Sequence, residues 1–420
     1  MNQQRREAGD VTTGMGSVWQ SGGSQRPLRV LMGVPAPGAT AGGTALLLPM
    51  LVEDLRQSRD LELFHMPYGR WEEGEPLPLK IWHQIVDVAR YPGRLRAADP
   101  DLVHLNTCLD RRALLRDTTF VALSRLLGRR VFLEWHGSET ALLHSGALPW
   151  RALGRLLLRS VQALGTLSTP EADEVQHLRH APPCFVVKNP IDPARYGERF
   201  DLHGQLGIER PAPLVLFISR LIPGKGLEEV IGAFPRLVER HGAHLLVVGD
   251  GPVRAAATAL ARSLHLESSV HFHGAVPEAE TLRFYNGADV LAFPSRLTEG
   301  LPMVLLQAIA AGLGLVTTRL RAAVEYLREP EHCLFVDPQD SAAIGAALDR
   351  LLSDREELAR MQAANRALAR RFDRKTVAAE FGRVYREIVD GESASAGDRA
   401  SSSPGKLRRL VTGPERENDA

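Results

Sequence analysis

The sequence predicts an α/β protein built from two Rossmann-like, doubly wound domains that face each other across a cleft. Three observations lead there. Short, near-continuous apolar runs alternate with longer amphipathic stretches, the pattern of a parallel sheet covered on both faces. That rhythm runs twice, on either side of a Pro- and Asp-containing stretch near Pro190 to Pro213. The chain has 420 residues, and at roughly 150 residues per domain that makes room for two or three domains.

In the first half, Leu28-Arg-Val-Leu-Met-Gly-Val34 reads as a buried strand, and Gly42-Gly43-Thr44 opens a helix that runs to about Leu55. Further strands are expected at 61–65, 102–105, 131–135, 163–167 and 185–187. The second half repeats the grammar with strands at 214–219, 243–248, 270–272, 290–293, 315–318 and 333–336. Between them lie helices such as 227–240, whose apolar stripe is Val230, Ile231, Phe234 and Leu237. The domain plan is a disordered lead over 1–27, a first domain over 28–190 and a linker over 191–212. A second domain covers 213–372, a helix over 373–390 packs back on the first, and a disordered tail fills 391–420. Both tails are rich in Gly, Ser and charge and offer little to bury.

Composition narrows the function. Lys and Arg number 51 against 50 Asp and Glu, so a wholly basic nucleic-acid binder is not expected. No apolar run approaches the roughly 18 residues of a membrane span, and the first 27 residues have no apolar core of a secretory signal. Cys108, Cys184 and Cys333 are far apart and in no CxxC pair, which argues for a reducing compartment and against a cysteine metal site. The expected location is cytoplasmic, with contact to the inner face of the membrane.

Two constellations carry chemistry. The strand Leu214-Val-Leu-Phe-Ile-Ser219 ends in Arg220, and Leu221-Ile-Pro-Gly-Lys225-Gly226 leads into the next helix. A guanidinium at a strand end, an ammonium at a helix start and the helix's own free N–H groups all favour a diphosphate. The same residues read equally as a solvated turn with two surface cations. The second constellation follows the strand at 290–293: Pro294-Ser-Arg-Leu-Thr-Glu299-Gly300-Leu301-Pro302, then a helix that stops at Gly312. Glu299 can accept two hydroxyls of a sugar there, with the backbone N–H groups of Gly300 and Leu301 beside it. Gln307 falls about one turn into the helix, on the side facing back to the loop. Taken singly, Glu299 also reads as a helix cap.

Order and spacing decide between these readings. Ser219-Arg220-Leu221-x-x-x-Lys225-Gly226 and Glu299-Gly-Leu-Pro-x-x-x-x-Gln307-Ala-x-Ala-x-Gly312 resemble the retaining glycosyltransferases of family 4, as do Gly249-Asp-Gly-Pro252, Phe272-His-Gly274-Ala-Val276 and Lys188-Asn-Pro-Ile-Asp192. In the first domain the resemblance rests on the Gly42-Gly43 loop, Asp101-Leu-Val-His104 and His136-Gly137. It implies the GT-B fold and transfer of a hexosyl group from a nucleoside-diphosphate sugar to a hydroxyl, with retention at the anomeric carbon. Arg220 and Lys225 would hold the diphosphate, Glu299 and His136 would contact the transferred sugar, and the loop at Val276 would meet the base. Gly43, Gly300 and Leu301 would complete the donor site. No metal or other cofactor is implied, and the acceptor would be a glycan or lipid-linked glycan in polysaccharide or cell-envelope synthesis.

One position departs from the family. The second glutamate, expected to contact ribose hydroxyls, is Gln307 here, which loses the charge-assisted part of a hydrogen bond, about 1 kcal/mol. That substitution keeps open a catalytically idle binding or regulatory subunit. An epimerase on a similar scaffold would need first-domain carboxylates such as Glu134 or Glu139, and a phosphorylase would be longer. Separately, residues 148–164 read as an amphipathic helix with Arg151, Arg155 and Arg159 at four-residue spacing. From Lys80 to Ser160 there are 13 Lys and Arg against 7 Asp and Glu. That face reads either as solvated or as a seat on anionic lipid.

Overall fold

The computed structural model describes residues 26–35, 43–69, 76–144, 146–178, 180–297 and 299–395. Two six-stranded sheets organise them, and every strand pair is parallel. The first sheet holds β1 (Leu28–Val34), β2 (Leu61–Pro67), β3 (Leu102–Leu109), β4 (Arg130–Ser138), β5 (Ala163–Thr166) and β6 (Cys184–Val186) in the spatial order β2-β1-β3-β4-β5-β6. Its helices are α1 (Gly43–Arg56), α2 (Leu77–Ala98), α3 (Arg111–Leu126), α4 (Ala141–His144), α5 (Leu148–Ser160) and α6 (Thr169–Gln176).

After α7 (Leu202–Leu206) comes the second sheet: β7 (Leu214–Ile218), β8 (His244–Val248), β9 (Val270–Gly274), β10 (Val290–Phe293), β11 (Gly314–Thr317) and β12 (Leu334–Phe335), in the order β12-β11-β10-β7-β8-β9. Helices α8 (Leu227–His241), α9 (Arg254–Ser263), α10 (Glu278–Gly287), α11 (Met303–Ala311), α12 (Ala323–Tyr326), α13 (Ser341–Ser353) and α14 (Arg355–Ala369) belong to this half. The last helix is α15 (Arg374–Ser395).

Local sequence explains the elements. All five residues of β7 are buried, as the continuous apolar run requires of a strand covered on both faces. In α8 the expected stripe is buried and the helix stops at Gly242 with φ 59°. Gly312 ends α11 in the same left-handed conformation, φ 70°, and Pro302 is its N-cap rather than its first helical residue.

The chain crosses between domains twice, side by side. Ile191 N–H donates to the Phe372 carbonyl at 2.8 Å and Arg374 N–H to the Ile191 carbonyl at 2.9 Å. Beyond the second crossing, α15 packs against α1 of the first domain. Arg374 anchors it, Nε to Asp54 Oδ2 and Nη2 to Glu53 Oε2, each at 2.5 Å. One continuous apolar cluster runs from Leu47 and Leu51 of α1 through Ile191 and Phe372 to Leu291 of the second sheet.

Four expectations need correction. Residues 191–212 are not a bare linker: they hold a 3₁₀ turn (Pro193–Arg195) and α7, because Ile191, Leu202 and Ile208 are apolar enough to be buried. The expected tail begins too early, since α15 continues to Ser395. A single helical glycine at 391 costs only about 1 kcal/mol and does not stop it. The helix read over 148–164 ends at Ser160. Gln162 N–H instead bonds the Val131 carbonyl, which commits Ala163 and Leu164 to β5. At the start, Arg26 forms an ion pair with Asp101 at 2.5 Å. Residues 1–25 of the lead and 396–420 of the tail lie outside the described residues.

Replacing Arg374 by Met leaves the Asp54 side chain, 3% exposed, without its cation. The expected loss in urea-unfolding free energy is about 3 kcal/mol. Adding Asp54→Asn should restore more than half of it.

Candidate functional site

The order of the second sheet reverses between β7 and β10, and a doubly wound sheet binds ligands in the crevice at such a point. Both sequence constellations sit there. Arg220 follows β7, is exposed, and its guanidinium makes no hydrogen bond or ion pair among the described residues. The chain then turns through Gly224 (φ 90°) and Gly226 (φ 88°) into α8. A Cβ on Gly226 would lie 2.6 Å from the Pro294 carbonyl oxygen, so only glycine lets the β7 loop press on the β10 loop. That contact delivers Lys225 to Glu299: Nζ to Oε1 is 2.8 Å, and Ser295 Oγ donates to the same oxygen at 2.6 Å. Lys225 Nζ also lies 5.1 Å from the centroid of the Phe293 ring. Gly226 caps α8 with no side chain, leaving the first N–H groups of the helix for an anion.

Across the cleft stand the ends of the first sheet. A Cβ on Gly300 would lie 2.7 Å from Leu167 Cδ1 and 3.5 Å from the His136 carbonyl oxygen. The β10 loop therefore touches the ends of β4 and β5. Asn189 Nδ2 donates to the Leu301 carbonyl at 3.2 Å. Thr169 donates from its N–H and its hydroxyl to the two carboxylate oxygens of Glu325, at 2.7 and 2.8 Å. Gly43, the exposed first residue of α1, faces Met303 at the start of α11, where a Cβ would meet Cγ at 2.9 Å. Residues 43, 136, 299, 300 and 301 thus share one cleft; Gly42 lies outside the described residues.

His136 ends a buried polar chain. Asn106 Nδ2 donates to the Gly33 carbonyl at 3.0 Å, which leaves Asn106 Oδ1 to accept from His136 Nε2 at 3.1 Å. Glu134 Oε1 lies 3.6 Å from the same nitrogen, while its Oε2 pairs with His104 Nε2 at 2.9 Å. His104 Nδ1 in turn meets the Tyr385 hydroxyl of α15 at 2.8 Å. Burial holds the Tyr385 phenol well above its ordinary value, so the hydroxyl donates, His104 Nδ1 accepts and His104 Nε2–H donates to Glu134. Burial alone would raise Glu134, but His136 and His104 outweigh it and hold the carboxyl below its ordinary value. For His136, burial lowers the pKa and Glu134 opposes the shift. Its Nε2–H donates to Asn106 Oδ1, and burial disfavours the charged ring. Its Nδ1 and Asn189 Oδ1 are both buried without a partner at hydrogen-bond distance among the described residues, and the Asn189 amide close by favours the charged ring.

Two predicted residues lie toward α10. Gln307 does not face back to the loop: it is 4% exposed and turned toward α10. The Tyr285 hydroxyl, buried and in need of an acceptor, donates to Gln307 Oε1 at 2.9 Å, and Gln307 Nε2 donates to Glu278 Oε1 at 2.7 Å. Val276 is half-buried against the core, two residues before exposed Glu278. The sequence reading did not single out Glu278 or Asn189, and it met Glu134 only as a weak acid–base candidate. Glu134 had a signal, a carboxylate inside the apolar run Val131-Phe-Leu-Glu-Trp135. Asn189 had its place in the Lys188–Asp192 motif, while nothing local marks Glu278.

Known proteins are similar to this chain in sequence and in fold. The family described as Glycosyl transferases group 1 matches residues 198–368. Glycogen synthase of Mycobacterium tuberculosis is 31% identical over 311 residues, covering 71% of this chain and 72% of that protein. The GDP-mannose-dependent alpha-(1-6)-phosphatidylinositol monomannoside mannosyltransferase of Mycolicibacterium smegmatis is 26% identical over 77% of this chain and 89% of its own. A glycosyltransferase of Methanocaldococcus jannaschii is 30% identical, but the match spans only 40% of this chain and 45% of that protein. In fold, Anabaena HepE, solved in complex with UDP and glucose, superposes with a TM-score of 0.66 at 19% identity, covering 85% of this chain and 99% of that one. With two doubly wound sheets, the motifs at one switch point and this relationship to glycogen synthase, the chain belongs to the glycosyl transferases group 1 family.

Proposed function

We propose that this chain transfers a hexosyl group from a nucleoside-diphosphate sugar to a hydroxyl of a glycan or lipid-linked glycan, with retention at the anomeric carbon. The Lys225–Glu299 pair at the switch point carries the reading, because it sets an anion-binding cation and a hydroxyl-binding carboxylate 2.8 Å apart. One end of the pair suits a diphosphate and the other the sugar attached to it. The bound UDP and glucose of Anabaena HepE and the GDP-mannose dependence in the name of the Mycolicibacterium smegmatis relative support such a donor.

In this reading the bond from the anomeric carbon to the diphosphate oxygen breaks as the bond to the acceptor oxygen forms, and the acceptor hydroxyl's proton passes to the departing diphosphate. Negative charge grows on the departing phosphate, where Arg220, Lys225 and the N-terminus of α8 stand ready, the kind of preorganised donor set that supplies the largest catalytic share. Glu299 and the Gly300 and Leu301 backbone orient the sugar from the second domain. His136 meets it from the first, offering the lone pair of Nδ1 to a hydroxyl. Contact between the Gly300 loop and the ends of β4 and β5 excludes water from the reacting carbon. The turn of Gln307 into α10 leaves Arg220, Lys225 and Glu299 untouched, which favours an active transferase over an idle subunit.

Three outcomes are expected. One nucleoside diphosphate from a panel of UDP, GDP, ADP, dTDP and CDP should raise the melting temperature by about 3 °C at saturation, and Arg220→Ala should abolish the rise. No rise with any of them would favour the idle subunit. Glu299→Gln should keep that nucleotide response but cut sugar transfer about 100-fold, the scale of one lost preorganised contact. Glu134→Gln removes the anion that opposes burial at His136, so the imidazole pKa followed by NMR should fall further. The rate of transfer should drop about tenfold, as for one lost hydrogen bond of about 1.4 kcal/mol.

A further inference from the structure

Helices α2, α3 and α5 pack side by side as the outer layer of the first domain. Among the described residues, every exposed large hydrophobic side chain except Val324 lies on this layer. Leu77, Ile81 and Ile85 repeat at four-residue spacing on α2, so they share a face, with Trp82 beside them. All four are more than half exposed, and the buried stripe of α2 begins only at Asp87. Leu115 of α3 and Leu148 and Leu156 of α5 continue the apolar surface.

The charge on the layer has one sign. Lys80 and three arginines lie on α2, four arginines on α3 and three on α5. The only carboxylates in these helices, Asp87 and Asp117, are buried and bonded to Arg94 and Arg116. At α5 the cations frame a cavity of about 150 Å³. Arg151 and Arg155, one turn apart on α5, line it together with His144, His177 and the apolar Leu143, Leu158 and Leu178. No carboxylate lines it. Arg151 Nε is buried without a hydrogen-bond partner, and neither guanidinium has an ion pair among the described residues.

We infer that this layer seats the protein on an anionic phospholipid surface, with Arg151 and Arg155 gripping a headgroup phosphate and the Leu77–Ile85 tip of α2 entering the acyl boundary. The cavity has the size and charge for a phosphate group, and the apolar residues beside it are what a free anion would leave unused. Charge complementarity selects the partner. A second copy would bring cations against cations, whereas an anionic leaflet attracts each of them. Glu72, Glu73 and Glu75 precede α2 in sequence, so the cationic contact belongs to α3 and α5 and the α2 contribution is apolar. The inference deepens the proposed function by fixing where a lipid-linked acceptor would be met, but vesicle binding is measured without any transfer step.

The test is flotation of the full chain with vesicles of phosphatidylcholine alone and with about one third phosphatidylglycerol. The wild type should float only with the anionic vesicles, and its tryptophan emission should shift to the blue, a shift lost in Ile81→Ser/Trp82→Ser. Arg151→Glu/Arg155→Glu should weaken vesicle binding at least tenfold, and the milder Arg155→Glu should do so partially. Each variant should keep the wild-type melting temperature and nucleotide response. No flotation of the wild type overturns the inference, as does flotation unchanged by the arginine reversals. Stabilisation by millimolar inorganic phosphate without vesicle binding assigns the cavity to a free anion instead. A dimer in light scattering that Ile81→Ser/Trp82→Ser dissolves assigns the layer to a second copy. Vesicle binding without any nucleotide response overturns the donor reading alone.

Discussion

Strands β7 and β10 lie next to each other and run the same way, and the whole site depends on that shared direction. Parallel neighbours cannot be joined by a tight turn, so each strand must hand its chain to a helix and return. The loops at the carboxyl ends therefore meet on one edge of the sheet. Here they are two loops 74 residues apart in sequence, those of Lys225 and Glu299. The pair forms because Gly226 has no side chain to hold the Pro294 backbone away. Loss of that glycine would separate Lys225 from Glu299 without altering a charged residue.

A second constraint holds the cleft in place. The C-terminal helix leaves the second domain beside the Ile191 crossing and lies along α1, tied by Arg374 to Asp54. From it Tyr385 reaches into the first sheet and begins the hydrogen-bond chain that ends at His136. A buried carboxylate with two histidines is costly unless every partner is satisfied. Glu134 meets that condition only when α15 is docked and the Tyr385 hydroxyl fills His104 Nδ1. The docking of α15 and the electrostatic surroundings of His136 are thus linked through His104 and Glu134.

Much of this was legible in the sequence, and for physical reasons. All twelve expected strands exist, because a strand buried on both faces must be apolar without a break and the runs at β7 and β10 are. A glycine that stops a helix, such as Gly312, is visible because the left-handed region favours it. Arg220, Lys225 and Glu299 stood out by spacing along short segments. What escaped is nonlocal. Gln307 turns to α10 because a buried tyrosine hydroxyl 22 residues earlier needs an acceptor. The structured stretch at 191–212 depends on surfaces of α10, where Leu202 packs against Gly287. The boundary between α5 and β5 depends on an edge of Val131 that no pattern within 148–164 contains.

The Gln307 substitution then takes on a different meaning. Its amide joins a hydroxyl donor, Tyr285, to a carboxylate acceptor, Glu278, and only a side chain with one acceptor end and one donor end can do both. A glutamate at 307 would set two carboxylates in contact, one of them buried, and like charges at that distance force one to take up a proton. The glutamine is therefore fitted to Glu278, and the negative charge stands one helix away, exposed at the first turn of α10 and two residues past Val276. A single departure from a family motif reads as a defect while the motif is viewed along the chain. Viewed across α10 and α11, the amide and the carboxylate are one hydrogen-bonded unit, and neither residue's role can be judged without the other.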